Sequence, residues 1–259
     1  MQPLIYVWSK DRASQLHTFL SSINKNLVDT VDIEVLYNYS SESFRDGYTK
    51  TIQRWPDVKF TLQNDAKSQM IDSISKYNVF VIATDDTYMF KKCPTTFVDK
   101  IEDVFTFSFR CGLNTVIQNH VIQSYQPILT KYEDEGDTIK WNYSTIQDHF
   151  NYGYPFSMDM HAYKTSEVID FIKKISFYRP PELEGNLLQF RRYTSQWMRS
   201  YKHSVCVNVP LNCMSGNTAS MNISLIDINQ NYLDGQDLFY INEDIVGCHQ
   251  NLQIGYDVR

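Results

Sequence analysis

Asn78-Val79-Phe80-Val81-Ile82-Ala83-Thr84-Asp85-Asp86 is the stretch that decides the fold. Its apolar centre is continuous rather than alternating, which is the pattern of a strand covered on both faces, and such strands belong to parallel sheets packed between helices. The residues before it repeat one unit. Leu4 to Trp8 reads as a strand, Ser9-Lys10-Asp11-Arg12 as a polar turn, and Leu16, Phe19, Leu20 and Ile23 as the apolar face of a helix. Ile33 to Leu36 and Val58 to Leu62 are further strands, and Ser43 to Gln53 and Lys67 to Ser75 further helices. Strands alternating with helices at this spacing predict an α/β fold with a mainly parallel sheet flanked by helices. Ligands of such sheets sit at the carboxyl ends of the strands.

Beyond Asp86 the alternation weakens. Phe105 to Phe109 reads as a strand, and residues 114 to 150 as a polar and aromatic functional loop or small lobe anchored by Trp141 and tyrosines. Tyr154 to Tyr163 reads as a strand, Ser166 to Ile175 as a helix, and Pro180-Pro181 as the lead-in to a helix from Glu182 to about Tyr201. A strand near Val205 to Val209 and a helix near Ser224 to Leu233 complete an irregular C-terminal half. The reading is one domain over 1–259, with a ligand-binding half over 1–90 and a second half over 91–259.

Composition narrows the chemistry. The 259 residues carry 30 acidic against 24 basic side chains, a formal charge of −6, and no Lys/Arg cluster, so a phosphate-tracking nucleic-acid binder is not expected. No apolar run approaches the length of a membrane span, and Met1 to Trp8 lacks a basic lead-in, which points to a soluble, cytoplasmic protein. Five cysteines without a C-x-x-C pair form neither a zinc nor a disulfide pattern. The nine glycines are too far apart for a phosphate-cradling loop.

Two adjacent carboxylates at a strand's carboxyl end offer hard oxygen ligands, suited to Mg²⁺ or Mn²⁺ on a diphosphate. The same pair also serves as an Asp-Asp turn. Ser9, Lys10 and Arg12 are candidates for contacts to a nucleotide, or equally a helix start capped by Ser9 or Asp11. Tyr37 and Asn38, with Tyr39, close the second strand as base-stacking candidates or as packing. Lys67 is a candidate phosphate contact or a solvated first-turn lysine.

These residues carry a resemblance. Ile5-Tyr6-Val7-Trp8-Ser9-Lys10-Asp11-Arg12, Phe80-Val81-Ile82-Ala83-Thr84-Asp85-Asp86-Thr87, Phe107 to Asn114, Gly153 to His161, Pro180 to Glu184, Val209 to Asn212 and Gly247 to Gln250 occur in the order found in GT-A-fold glycosyltransferases. The likeness is to small microbial and viral enzymes that use nucleotide-activated sugars. It implies a metal-dependent transfer of a sugar from a UDP- or GDP-sugar to a glycan or glycoprotein acceptor, with Mn²⁺ or Mg²⁺ as cofactor. Thr84 stands where the family's DXD-type motif has its first acid, so the resemblance carries Asp85 and Asp86 alone, with Asp86 the direct metal ligand and His249 either completing the metal shell or contacting the diphosphate. Glu184, beside Glu182, and Asp159 are the candidates for the catalytic base, with His161 on the same strand face as Asp159. Trp141, Tyr152 and Tyr154 are candidate sugar platforms, packing being the rival account. Two other readings stand beside this one: a sugar nucleotidyltransferase, and a non-catalytic carbohydrate-binding protein on a decayed transferase scaffold. The net charge of −6 itself argues for a cation between the protein's carboxylates and a diphosphate.

Overall fold

The computed structural model describes residues 2–115, 117–119, 124–125, 128–147, 151–209, 224–235, 239–240 and 255–256. Its chain order begins β1 (Leu4–Lys10), α1 (Ala13–Asn26), β2 (Asp32–Asn38), α2 (Glu42–Arg54), β3 (Lys59–Leu62), α3 (Ala66–Ile74) and β4 (Val79–Thr84). The N-terminal half thus follows the expected strand–helix alternation. Local chemistry starts the helices: Ser41 Oγ accepts from Phe44 N–H ahead of α2, and an Asp65 carboxylate oxygen accepts from Ser68 N–H ahead of α3.

After β5 (Thr87–Met89) come β6 (Thr106–Ser108), the short β7 (Ile117–Asn119) and β8 (Ser124–Tyr125), then β9 (Glu133–Asp134) and β10 (Thr138–Asn142). They are followed by β11 (His161–Lys164), α4 (Thr165–Lys174), α5 (Pro180–Leu187), β12 (Trp197–Tyr201), β13 (Cys206–Asn208), α6 (Leu225–Leu233), β14 (Phe239–Tyr240) and β15 (Gly255–Tyr256). Nine strands make the central sheet in the order β3-β2-β1-β4-β11-β6-β12-β10-β9. Only β11 and β10 run against the others, so the sheet is mostly parallel, as its sequence predicts.

Alternation along the two central strands divides the core. Leu4, Tyr6, Trp8, Phe80 and Ile82 face one layer with residues of α3, α4 and α5, among them Met70, Val168 and Leu183. Ile5, Val7, Val81 and Ala83 face the other, with Leu16, Phe19 and Leu20 of α1, Tyr48 of α2 and Tyr232 of α6. The result is a three-layer α/β/α arrangement, and burial on both faces explains why β4 reads as an unbroken apolar run.

Three expectations for the C-terminal half are corrected. Tyr154 to Tyr163 is not one strand: a 3₁₀ turn covers Asn151–Gly153, Met160 sits at φ +53°, and the strand begins only at His161. The helix after Pro180-Pro181 ends at Leu187, and Trp197–Tyr201 is a strand instead, paired between β6 and β10. There the demand of two strand neighbours overrides the local pattern. Within 114–150, Thr138–Asn142 joins the central sheet, so that part is core rather than a lobe.

Gly112 shows how tightly this half is packed. A Cβ there would lie 2.2 Å from the Ser204 backbone nitrogen and 2.7 Å from the His203 carbonyl carbon, neither of which moves cheaply. At Gly185 in α5 the same atom would meet nothing within 4 Å. Gly112→Ala is therefore expected to cost about 2–3 kcal/mol in urea unfolding, whereas Gly185→Ala is expected to be neutral or to add about 0.5–1 kcal/mol. Equal effects of the two substitutions would refute this account of the packing.

Candidate active site

The carboxyl ends of β1, β4 and β6 reach one edge of the sheet, and antiparallel β11 starts at that same edge. A cavity of about 300 Å³ opens there. Its wall includes Trp8, Ser9, Lys10 and Arg12 after β1, Thr84, Asp85 and Asp86 after β4, and Asp159 before β11. Glu184 of α5, Asn208 of β13, and a rim of Gln63, Tyr178 and Arg179 complete the part that matters here.

The Ser9–Arg12 turn is anchored from below. Ser9 Oγ and the Tyr48 hydroxyl lie 2.6 Å apart, and Arg12 N–H donates to that hydroxyl at 3.3 Å. Asp11 adopts φ +57°, its N–H donates to the Asn38 carbonyl, and its carboxylate accepts from Ser40 N–H at 2.6 Å. Neither Ser9 nor Asp11 caps α1; Arg12 occupies the cap position without a side-chain cap bond. The Arg12 guanidinium is aimed back at the acidic strand end: Nη1 donates to Asp85 Oδ1 at 3.1 Å and to Asp86 Oδ2 at 3.0 Å. Asp85 Oδ2 accepts from Lys10 N–H at 3.2 Å. Burial pushes the Asp85 carboxyl up to about 6 against the opposing pull of Arg12.

Asp86 and Asp159 share donors. Thr84 Oγ1 reaches Asp86 Oδ1 at 2.7 Å and Asp159 Oδ1 at 3.0 Å, and Asn208 Nδ2 reaches the same two oxygens at 2.9 and 3.2 Å. Arg110 Nη1 donates to Asp159 Oδ2 at 3.1 Å, and Nη2 reaches Asn151 and Ser157. Glu184 is held more loosely. Its Oε1 accepts from Met158 N–H at 3.2 Å, and burial, reinforced by Asp159 and opposed by Arg110, pushes its carboxyl up to about 8.

The cavity therefore gathers Ser9, Lys10, Arg12, Asp85, Asp86, Asp159 and Glu184. Other candidates lie elsewhere. Tyr37 packs against Tyr39, Tyr48 and Phe60, the Asn38 side chain accepts from Tyr39 N–H, and Lys67 Nζ donates to the Lys173 carbonyl at 2.8 Å. None of the three is on the cavity wall. His161 is fully buried, and because Asp159 precedes the strand and Met160 turns the chain, the two do not share a strand face. Trp141 and Tyr152 are core residues, 1% and 2% exposed, joined by a Trp141 Nε1 bond to the Tyr152 carbonyl, so they present no face to a sugar. Tyr154 is half-buried and off the cavity wall. His249 lies outside the described residues.

Arg110 and Asn208 are the residues that sequence reasoning missed. Each lies inside or beside a quoted block, Phe107 to Asn114 and Val209 to Asn212, but nothing in an isolated arginine or asparagine marks it as a partner of an acid 49 positions away.

The donor set suits a divalent cation chemically. The oxygens of Asp86 and Asp85 are hard ligands on the cavity wall, and Mg²⁺ commonly takes one or two carboxylates, leaving its other positions to water and phosphate. Among the described residues no group of three or more His, Cys, Asp or Glu is spaced to hold a metal, and both oxygens of Asp86 already accept protein hydrogen bonds.

Removing the buried Arg110 would leave Asp159 uncompensated. Arg110→Met is expected to cost about 3–5 kcal/mol at neutral pH. The Asp159 carboxyl is already raised by burial and would rise further, so the stability it contributes is present when protonated and lost as pH rises. The deficit of Arg110→Met in urea unfolding should accordingly be smaller at pH 5 than at pH 8, and a pH-independent deficit would contradict this.

No family model matches the chain. Over 199 residues it is 23% identical to the bifunctional glycosyltransferase pgtA of Dictyostelium discoideum, covering 67% of the chain but 25% of that protein. Among solved structures, S. aureus TarS superposes with a TM-score of 0.51 at 11% identity over 80% of the chain and 36% of TarS. A mannosyltransferase of Pyrobaculum calidifontis, solved with GDP-Man and Mn²⁺, gives 0.45 at 11% identity over 80% of the chain and 56% of its own length. The chain thus spans about a quarter of its curated relative, and its fold, a mostly parallel sheet between helix layers, is GT-A-like.

Proposed function

We propose that the chain is a metal-dependent glycosyltransferase that moves a sugar from a UDP- or GDP-sugar to a glycan acceptor. The observation that carries this is the convergence, on one cavity, of a basic turn after β1, two carboxylates after β4 and a loosely held acid on α5. Lys10 and Arg12 bring positive charge to the diphosphate; Lys10 makes no ion pair among the described residues. Asp86, with Asp85, holds Mn²⁺ or Mg²⁺. When bound, that ion neutralises charge developing on the departing diphosphate. Residues 1–90 supply the donor side and 91–259 the acceptor side.

Of the two base candidates, Glu184 fits better. Asp159 is committed on both oxygens to Thr84, Asn208 and the Arg110 ion pair, which favours a role in holding Asp86 and Arg110 in place. Glu184 is held by the Met158 N–H and Ser157 without an ion pair among the described residues, and has the raised affinity for protons that a base working near neutrality needs. In the proposed step Glu184 takes the acceptor hydroxyl proton as that oxygen bonds to the anomeric carbon. The bond from that carbon to the diphosphate oxygen breaks, and its electron pair leaves with the nucleotide.

Asp86→Ala is expected to abolish release of UDP or GDP from the donor while leaving the circular dichroism spectrum near that of the parent. Full turnover of that variant in EDTA would overturn the proposal, and a parent that binds donor without releasing nucleotide would be a carbohydrate-binding protein instead. Because Glu184 must lose its proton to act, transfer should rise with pH through about 8. Glu184→Gln should lower transfer by about 10²–10⁴-fold while UDP and GDP still bind; an unchanged pH profile in that variant would reassign the base.

A further inference from the structure

The acidic strand end already faces a cation of the protein's own. Arg12 is 9% exposed at its side chain, and its Nη1 bridges Asp85 and Asp86. Asp86 Oδ1 is taken by Thr84 and Asn208, so the oxygen that Arg12 occupies, Oδ2, is the one left for any other positive group. Around the cavity the carboxylates of Asp85, Asp86 and Asp159 face the guanidiniums of Arg12 and Arg110 and the ammonium of Lys10, which leaves no surplus of positive charge. A diphosphate entering alone would add negative charge that nothing on the wall is spare to meet. It needs a cation to come with it, and it also offers Arg12 a second set of oxygens, since a guanidinium pairs with phosphate as readily as with carboxylate.

Resting on the metal-dependent reading above, we propose that Arg12 is a place-holder that makes cation and nucleotide binding depend on each other. Without nucleotide it occupies the seat at Asp86 and keeps a divalent ion out. When a nucleoside diphosphate enters, Arg12 turns from Asp86 to the phosphates and leaves the carboxylate to the ion. Each ligand then strengthens the other by the same factor, as linkage requires. An open site is in this way spared from holding a bare divalent ion, and the diphosphate is never held against unneutralised aspartates.

The test is Mn²⁺ binding to the full chain, followed by electron paramagnetic resonance with Mn²⁺ alone and with UDP or GDP added. Binding of Mn²⁺ by the nucleotide itself is subtracted using a protein-free series. The parent should bind Mn²⁺ weakly alone and about tenfold or more tightly with nucleotide, a coupling of ordinary allosteric size. Arg12→Gln, shown folded by circular dichroism, should bind Mn²⁺ alone about tenfold more tightly than the parent and gain little from nucleotide. Arg12→Lys, which keeps the charge but not the fork, should fall between them and serves if the glutamine variant does not fold. Equal Mn²⁺ affinity of parent and variants, or equal affinity of the parent with and without nucleotide, would overturn the coupling alone. No Mn²⁺ on any of the proteins, even with UDP or GDP, would overturn the metal-dependent reading and the coupling together.

Discussion

The pairing of β1 with β4 is the constraint on which the site depends. Leu4 to Trp8 lie beside Phe80 to Thr84 in parallel register, and the ladder runs one step further, from Asp85 N–H to the Trp8 carbonyl. Both strands are covered on both faces by apolar side chains. A slip of one residue would exchange the two sets, sending Tyr6 and Trp8 into the layer shaped for Ile5 and Val7. The register therefore also sets the height at which each strand ends, which brings Arg12 and the paired aspartates to the same point. The electrostatics of the cavity follow from the packing of the sheet.

The second half of the chain completes that point from the other side. Asp159 precedes β11 and shares Thr84, Asn208 ends β13 and reaches Asp86, and Arg110, which follows β6, pairs with Asp159, so three separate strands complete the network. Closely set carboxylates are tolerable because each is met by donors, and a connected polar network of this kind is stable only when its members are satisfied together. Thr84 fits this arrangement well. An acid at that position would add a fourth negative charge to the cluster, whereas the hydroxyl links the two that are there.

Much of this was legible in the sequence, unevenly. The β1-to-β4 half could be read because each strand is either unbroken or alternating and each helix carries its own periodicity, so local pattern and final burial agree. Asp85, Asp86 and Arg12 stand at strand ends that are visible locally, whereas Glu184 is reached through the resemblance, and all four line one cavity. Trp197–Tyr201 was misread because it becomes a strand only through its neighbours β6 and β10. For Tyr152 and Trp141 packing is the alternative the fold selects, because an aromatic residue in a polar stretch looks exposed until the fold closes over it. Arg110 and Asn208 have meaning only through contacts made across the sheet, and no spacing in the chain encodes those.

Phe109 N–H donates to the Met160 carbonyl at 3.1 Å, directly beneath the cluster. The chain between these two residues departs from the cavity edge and comes back to the point it left. That detour carries Arg110 at its departure and Asp159 at its return, and Thr138–Asn142 within it is a strand of the central sheet. Closing the excursion and forming the Arg110–Asp159 ion pair are therefore one event. A chain that failed to seat this segment would lose the partner of an acidic group at the cavity as well as a strand, so the site is assembled only when the whole sheet is.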